Sequence, residues 1–172
     1  MDPNPRPSRT LLIMRHAAAE PGGPGQPDVQ RRLTPAGRER AAAQAAVIAA
    51  NPPQVVLCSA AARATETLTH LGVDQAAVHV EPGLYEASGT GVLLRLAEIP
   101  SDVETVLLIG HMPTVATVAG ALVADPTPGE DNAAAVDRLR TRGFSPGSVA
   151  VLDLPAPWDA LQPASARLRH FR

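Results

Sequence analysis

Short, continuous runs of apolar residues alternate with longer segments of mixed polarity along this chain. Such runs predict strands at residues 10–14, 55–58 and 105–109, and residues 77–80 predict a weaker strand. A run without polar interruption is typical of a strand that is buried on both faces of a parallel sheet. Five segments predict helices, at residues 35–50, 60–71, 91–98, 113–123 and 132–142. This alternation predicts an α/β fold, with a mainly parallel sheet and helices on both faces.

The last quarter of the chain breaks the alternation. Residues 148–154 and 167–171 look like strands, but no long helix joins them, so we expect one of them to run antiparallel at a sheet edge. The proline-rich residues 1–9 predict a disordered tail. No later segment is long enough to be a linker between domains, so residues 10–172 form one predicted compact domain.

Composition narrows the function classes. With 172 residues and 45% hydrophobic residues, the chain is ordinary for one globular domain. An aromatic share of 2% leaves too few rings for the base-stacking surfaces of single-strand nucleic-acid binders. A formal net charge of -2 also argues against a nucleic-acid or membrane-surface partner.

The type of basic residue excludes further mechanisms. All 15 basic residues are arginines, so phosphate loops that end in GK[ST] and Schiff-base catalysis are ruled out. Cys58 is the only cysteine, which excludes an intramolecular disulfide and a multi-cysteine metal cage. Because no apolar run is long enough for a signal-peptide core or a membrane span, we expect a cytoplasmic protein.

Charged and polar residues follow the predicted strands where each strand ends. Arg15 and His16 follow the first strand, Arg63 lies shortly after the second, Glu86 after the third and His111 after the fourth. In a parallel sheet the carboxyl ends of the strands share one edge, where ligands bind. The topology therefore predicts that these five side chains converge.

This set of side chains suits a phosphate-sized anion. The planar guanidinium of arginine binds a tetrahedral dianion through two parallel hydrogen bonds. A histidine among arginines is better suited to be a nucleophile than a metal ligand, because the arginines repel a cation. A neutral imidazole can attack phosphorus and form a covalent phosphoramidate, so the set predicts phosphoryl transfer without a metal or another cofactor.

The motifs around these residues resemble the histidine phosphatase superfamily, which has the phosphoglycerate-mutase-like fold. The matching segments are RHA at 15–17, DVQRRLTPAGR at 28–38, SAAARATET at 59–67, LYEA at 84–87 and VLLIGHMP at 106–113. In combination and at this chain length, they are similar to the SixA-type phosphohistidine phosphatases. The resemblance covers about residues 10–154 and implies a three-layer α/β/α domain.

The resemblance also implies roles for the five residues. His16 matches the phosphorylated nucleophile, whereas Arg15, Arg63 and His111 match the phosphate pocket. Glu86 matches the position of the proton donor.

Three residues depart from the family pattern. Ala17 replaces a glycine, Ala60 a proline and Met112 an asparagine. These positions supply backbone or secondary contacts, so we expect them to affect efficiency more than chemistry.

The most consistent function is a metal-independent phosphatase that acts through a phosphohistidine intermediate on His16. We expect its substrate to be phosphohistidine on a protein, because the chain is too short for the cap insertion that encloses small substrates in larger family members. One alternative is a phosphatase of small phosphate esters. Another is a catalytically silent module that binds phosphate or a phosphoprotein.

Several of these residues also have a purely structural interpretation. Arg63 has Glu66 or Glu39 as alternative ion-pair partners, and Glu86 has the environment of an ordinary surface residue. The basic residues from Arg138 to Arg142 are typical of a solvated helix face, with a docking patch for an acidic protein as the alternative.

Overall fold

A six-stranded sheet forms the centre of the computed structural model, which describes residues 9–128 and 130–172. The strands in chain order are β1 (Arg9–Arg15), β2 (Val55–Ser59), β3 (Ala77–Glu81), β4 (Thr105–Gly110), β5 (Val149–Leu154) and β6 (Arg167–Phe171). Across the sheet they lie in the order β3-β2-β4-β1-β5-β6. The first four strands run parallel, and β5 is antiparallel to both β1 and β6.

Six α-helices flank the sheet. They are α1 (Pro35–Ala42), α2 (Ala45–Ala49), α3 (Ala62–Thr69), α4 (Gly89–Ala97), α5 (Thr114–Leu122) and α6 (Ala133–Arg142). Short 3-10 turns cover Asp28–Gln30, Pro82–Leu84 and Trp158–Ala160. Among the described residues, no helix is both long and apolar enough to cross a membrane.

Both faces of the sheet are covered, which explains the uninterrupted apolar runs. In β1, Leu12 and Met14 pack on the side of α2 and α3, whereas Leu11 and Ile13 pack on the side of α4, α5 and α6. Successive side chains of a strand point to opposite faces, so a strand between two helical layers must be apolar at every position. The three-layer α/β/α prediction is confirmed.

Two predicted elements differ from the structure in the middle of the chain. The single helix expected at 35–50 is divided into α1 and α2, and the amide of Gln44 bonds the carbonyl of Ala41 in a tight turn between them. Helix α4 begins before residue 91, because the hydroxyl of Ser88 caps it by accepting from the amide of Gly91 at 3.1 Å.

The sheet edge also differs from the prediction. The antiparallel strand is β5, which lies inside the sheet between β1 and β6, so the edge strand itself runs parallel to β1. The connection from β5 to β6 is a loop with a short 3-10 turn and lacks the α-helix that usually carries a crossover between parallel strands. Of the predicted tail, residues 1–8 lie outside the described residues, whereas Arg9 belongs to β1 and pairs with Leu154.

The carboxyl ends of three parallel strands meet at the middle of one sheet edge. The last residue of β1, Arg15, is in register with Gly110 at the end of β4, and Cys58 of β2 is in register with Ile109. The residues that follow these strands are therefore brought together by the sheet itself.

Candidate active site

His16 lies directly after β1 and is 8% exposed. Its amide donates to the carbonyl of Gly110 at 3.1 Å, which ties it to the end of β4. Its Nδ1 lies 2.7 Å from the carbonyl oxygen of Ala17. Because a carbonyl oxygen only accepts, Nδ1 carries the ring proton and Nε2 keeps its lone pair.

The environment keeps this imidazole uncharged. Burial, with smaller contributions from His111, Arg63 and Arg15, lowers the pKa of His16 to about 3. At neutral pH, Nε2 of His16 is therefore unprotonated and lies in a cationic environment.

Arg63 lies at the start of α3 and reaches the nucleophilic nitrogen. Its Nε donates to Nε2 of His16 at 3.2 Å. Its Nη1 and Nη2 donate to the carbonyl oxygen and to Oδ2 of Asp28, at 2.8 and 2.9 Å. The alternative pairing with Glu66 is wrong, because Arg38 and the amide of Leu33 hold that carboxylate.

Arg15 extends from the end of β1 toward the other side of His16. Its Nη1 donates to the carbonyl of Phe144 at 2.8 Å. Its Nε is buried and has no hydrogen-bond partner among the residues that the structure describes. Burial and the positive charge of the nearby Arg63 lower the pKa of Arg15. The protein therefore offers little negative charge to balance this guanidinium.

His111 follows β4, and its ring centroid is 5.0 Å from that of His16. Its Nε2 lies 2.7 Å from Oγ of Ser59, and that oxygen accepts from the amide of Ala61 at 3.3 Å. A serine hydroxyl can accept from Nε2 or donate to it, and in the tautomer in which Ser59 donates, the proton of His111 is on Nδ1.

The Nδ1 of His111 is a second buried polar atom at this site. It has no hydrogen-bond partner within residues 9–128 and 130–172. Burial and the adjacent Arg63 lower the pKa of His111 to about 4, so the ring is neutral at pH 7. A neutral ring in this tautomer offers an N–H at Nδ1.

Glu86 differs from the other four predicted residues. It is exposed, next to the 3-10 turn that follows β3, and makes no hydrogen bond or ion pair with any described residue. Its assignment as proton donor stays a prediction.

Asp28 and Tyr85 are two site residues to which the sequence assigned no role. Asp28 accepts from Arg63, from Arg31 and from the hydroxyl of Tyr85, and these donors hold the pKa of its carboxyl well below the usual range. The ring of Tyr85 stands edge-on to that of His111, at 5.4 Å between centroids. The signal for them in the sequence was their position within the family motifs, beside residues to which the sequence did assign a role.

Two of the three departures from the family pattern, Ala17 and Ala60, donate hydrogen bonds through their backbone amides. The amide of Ala17 donates to Oγ1 of Thr67 at 3.0 Å, and the amide of Ala60 donates to the carbonyl of Glu81 at 3.2 Å. A proline at position 60 has no such donor.

This arrangement can bind and attack a phosphoryl group. The unprotonated Nε2 of His16 accepts from Nε of Arg63, and Arg15 and His111 are near enough to lower the pKa of the ring. Donors around a nucleophile match the oxygens of a tetrahedral anion in in-line transfer. No group of three or more potential metal-ligating side chains (His, Cys, Asp, Glu) occurs among the described residues.

Known proteins match this chain over most of its length. Residues 11–140 match the family described as the histidine phosphatase superfamily (branch 1). An uncharacterised protein of Mycobacterium tuberculosis is 37% identical over 161 residues, which are 92% of this chain and 98% of that protein.

Solved structures show the same fold. SixA of Nakamurella multipartitia, which is assigned as a phosphohistidine phosphatase, has a TM-score of 0.83 and 34% identity, with 98% of each chain covered. The corresponding protein of Agrobacterium tumefaciens has a TM-score of 0.76 and 28% identity, with 95% of this chain and 97% of that chain covered. A mycobacterial glucosyl-3-phosphoglycerate phosphatase, at 18% identity and a TM-score of 0.62, shares the fold alone.

Proposed function

Because the chain belongs to the histidine phosphatase superfamily and to its SixA-type branch, we propose that it removes phosphoryl groups from phosphohistidine on proteins through a covalent intermediate on His16. One observation carries the proposal. Nε2 of His16 is unprotonated and accepts from Nε of Arg63, and the site holds two buried nitrogens without a hydrogen-bond partner among the described residues, Nε of Arg15 and Nδ1 of His111.

In the first step, Nε2 of His16 attacks phosphorus in line with the bond to the substrate imidazole. A new P–N bond forms on His16, the substrate P–N bond breaks, and the released imidazole takes a proton. The Nδ1 proton of His16 stays hydrogen-bonded to the carbonyl of Ala17, and this bond keeps the ring oriented. Arg15, Arg63 and His111 stabilise the negative charge on the three equatorial oxygens.

In the second step, water attacks the phosphoryl group on His16. The P–N bond breaks, inorganic phosphate leaves, and the neutral imidazole returns to its starting state. Glu86 is our candidate for the group that moves protons in these steps, as donor to a leaving group or as acceptor from water. Its side chain is exposed, so both water and a leaving group can reach the carboxyl.

The openness of the sheet edge supports a protein substrate. The described helices pack on the sheet or on a neighbouring helix, and among them none forms a separate cap over His16. A phosphorylated side chain on a folded protein can approach such an edge, whereas a small ester has fewer surfaces here to enclose it. The assignment of the Nakamurella relative as a phosphohistidine phosphatase agrees with this substrate class.

A substrate panel tests the proposal. We expect the highest kcat/KM with a protein phosphorylated on histidine, compared with sugar phosphates, nucleotides and an aryl phosphate. A clear preference for a sugar phosphate or nucleotide would favour the small-ester alternative.

Covalent labelling tests the intermediate. After brief exposure to a radioactive phosphodonor and rapid quenching, the enzyme should carry an acid-labile, base-stable label that is lost in His16→Ala. Reversible binding of phosphate without any label or turnover would instead identify a silent binding module.

A further inference from the structure

Four arginines beside the candidate active site have no partner for their charge. Arg40, Arg138, Arg142 and Arg172 are all exposed, and we call the surface that they form the arginine face. None of the four side chains donates a hydrogen bond or forms an ion pair within the part of the chain that the structure describes. They line one open hollow of about 210 Å³ between α1, α6 and the end of β6.

Most of the other arginines that the structure describes are paired with a carboxylate. Seven arginines pair with a carboxylate, namely Arg31, Arg38, Arg63, Arg95, Arg140, Arg167 and Arg169. The contrast is clearest within α6, where Arg140 pairs with Asp125. Arg138 and Arg142 are four residues apart and therefore share a helix face, on which the like charges repel.

The overall charge of the chain does not explain this cluster. The formal net charge is -2, so four unpaired cations on one face represent a local excess. A neighbouring hollow of about 450 Å³ shares Arg138, Phe171 and Arg172 with the first and extends the face along β6. Exposed guanidinium groups spread over two neighbouring hollows can contact several carboxylates of one macromolecule, whereas a single small anion can engage only part of them.

The arginine face is physically continuous with the candidate site. Arg142 is two residues before Phe144, whose carbonyl accepts from Arg15. The amide of Gly147 donates to the carbonyl of His16 at 3.0 Å, and a Cβ at Gly147 would lie 2.7 Å from Cγ of Arg40. The stem of Arg40 therefore packs on the backbone that borders His16.

We propose that the arginine face binds carboxylates on the acidic surface of the protein whose phosphohistidine is hydrolysed at His16, and that it thereby selects that protein. This proposal rests on the proposed function. Carboxylates fit the guanidinium groups in bidentate geometry, and complementary charge increases the rate of productive encounter. A nucleic acid fits less well, because the only ring in the lining besides His170 is the half-buried Phe171, which offers no open platform for bases.

Two synthetic phosphohistidine peptides of equal length test the proposal. One carries four glutamates beside the phosphohistidine, and the other carries glutamines at the same positions. We expect the wild-type kcat/KM to be about tenfold higher for the glutamate peptide at low ionic strength, with a preference that falls as salt is added.

Charge reversal at the arginine face should remove this preference. In the double variant Arg138→Glu and Arg142→Glu, we expect kcat/KM for the glutamate peptide to fall to that of the glutamine peptide or below. Hydrolysis of an aryl phosphate should stay within about twofold, which shows that the variant is folded and chemically competent. The matched control Arg140→Glu changes the same charge on the same helix and should keep the preference.

The possible outcomes separate this proposal from the proposed function. Equal kcat/KM for the two peptides, or a preference that survives in the double variant, overturns the arginine face while phosphohistidine hydrolysis stands. Hydrolysis of the aryl phosphate but of neither peptide overturns both. Competition by an RNA oligonucleotide but not by polyglutamate would assign the face to nucleic acid and also overturn the proposal.

Discussion

The arginines of the candidate site and those of the arginine face differ in how firmly the protein itself holds them. Arg63 is 5% exposed, and three of its nitrogens donate to His16 and Asp28. Arg138 and Arg142 are exposed, without a hydrogen bond to any described residue. A guanidinium fixed before binding loses little entropy when it stabilises a transition state, whereas a mobile one can adapt to varied carboxylates. The arginines of the candidate site are therefore suited to catalysis, and those of the arginine face are suited to recognition of a partner.

The largest effect should come from the nucleophile. We expect His16→Ala to abolish turnover of every substrate and to retain the fold, since His16 lies at a strand end outside the apolar clusters. Steady-state assays with circular dichroism as the folding control measure this. Residual activity above about a tenth of wild type would contradict the nucleophile assignment.

Lysine substitutions sharpen the comparison between the two arginine environments. We expect Arg63→Lys to lose at least about a hundredfold in kcat, because an ammonium group cannot reproduce the guanidinium fork. Arg138→Lys keeps the charge at the exposed face and should change kcat/KM for the glutamate peptide by less than about threefold. Similar losses of activity in both variants would contradict the proposal that Arg63 serves catalysis and Arg138 serves recognition.

Glu86 should matter for one kind of leaving group only. Glu86→Gln should slow the first step with an alkyl phosphate by roughly a hundredfold, because an alkoxide needs a proton from a positioned acid. With phosphohistidine the first step should hardly change, since a protonated imidazole leaves readily. Single-turnover measurements isolate that step. An equal, large loss with both substrates would reject this role and favour the small-ester alternative.

Acid should destabilise the folded protein partly through His111. Burial lowers its folded pKa to about 4, so between about pH 6.5 and 4 the unfolded chain binds a proton that the folded one does not. Stability is therefore retained above pH 6.5 and lost as pH falls, with a slope of up to about 1.4 kcal/mol per pH unit for this residue.

Urea unfolding across this pH range checks that prediction. His111→Gln should show a shallower fall in unfolding free energy than wild type, whereas His79→Gln, at an exposed position of β3, should match wild type. Identical slopes in all three proteins would contradict the burial effect.

Removal of divalent metals should have the smallest effect. The guanidinium groups of Arg15 and Arg63 already supply positive charge at the phosphoryl group, so EDTA should leave kcat unchanged. Loss of activity that Mg²⁺ restores would show that the arginines are insufficient.

The local sequence predicted many of the helices and strands, but it failed where long-range packing determines the structure. The sequence located all six described strands within two residues, and the central strands β1, β2 and β4 were found as apolar runs because both of their faces are buried. The division into α1 and α2 was missed, since alanine-rich sequence carries no signal for a turn at Gln44. The place of β5 inside the sheet depends on its pairing with β1, which is a long-range choice.

The sequence by itself determined the family, the strand-end positions of Arg15, His16, Arg63 and His111, and the absence of lysine chemistry. Only the tertiary structure determined the tautomer of His16 and the ion pair between Asp28 and Arg63. It also determined that the side chain of Glu86 is exposed and has no partner among the described residues. It also determined that Arg138 and Arg142 line the same hollow as Arg40, whereas Arg140 forms an ion pair with Asp125. The physical reason is that motif and polarity are local properties of a chain, whereas burial, proton position and charge pairing depend on distances between residues far apart in sequence.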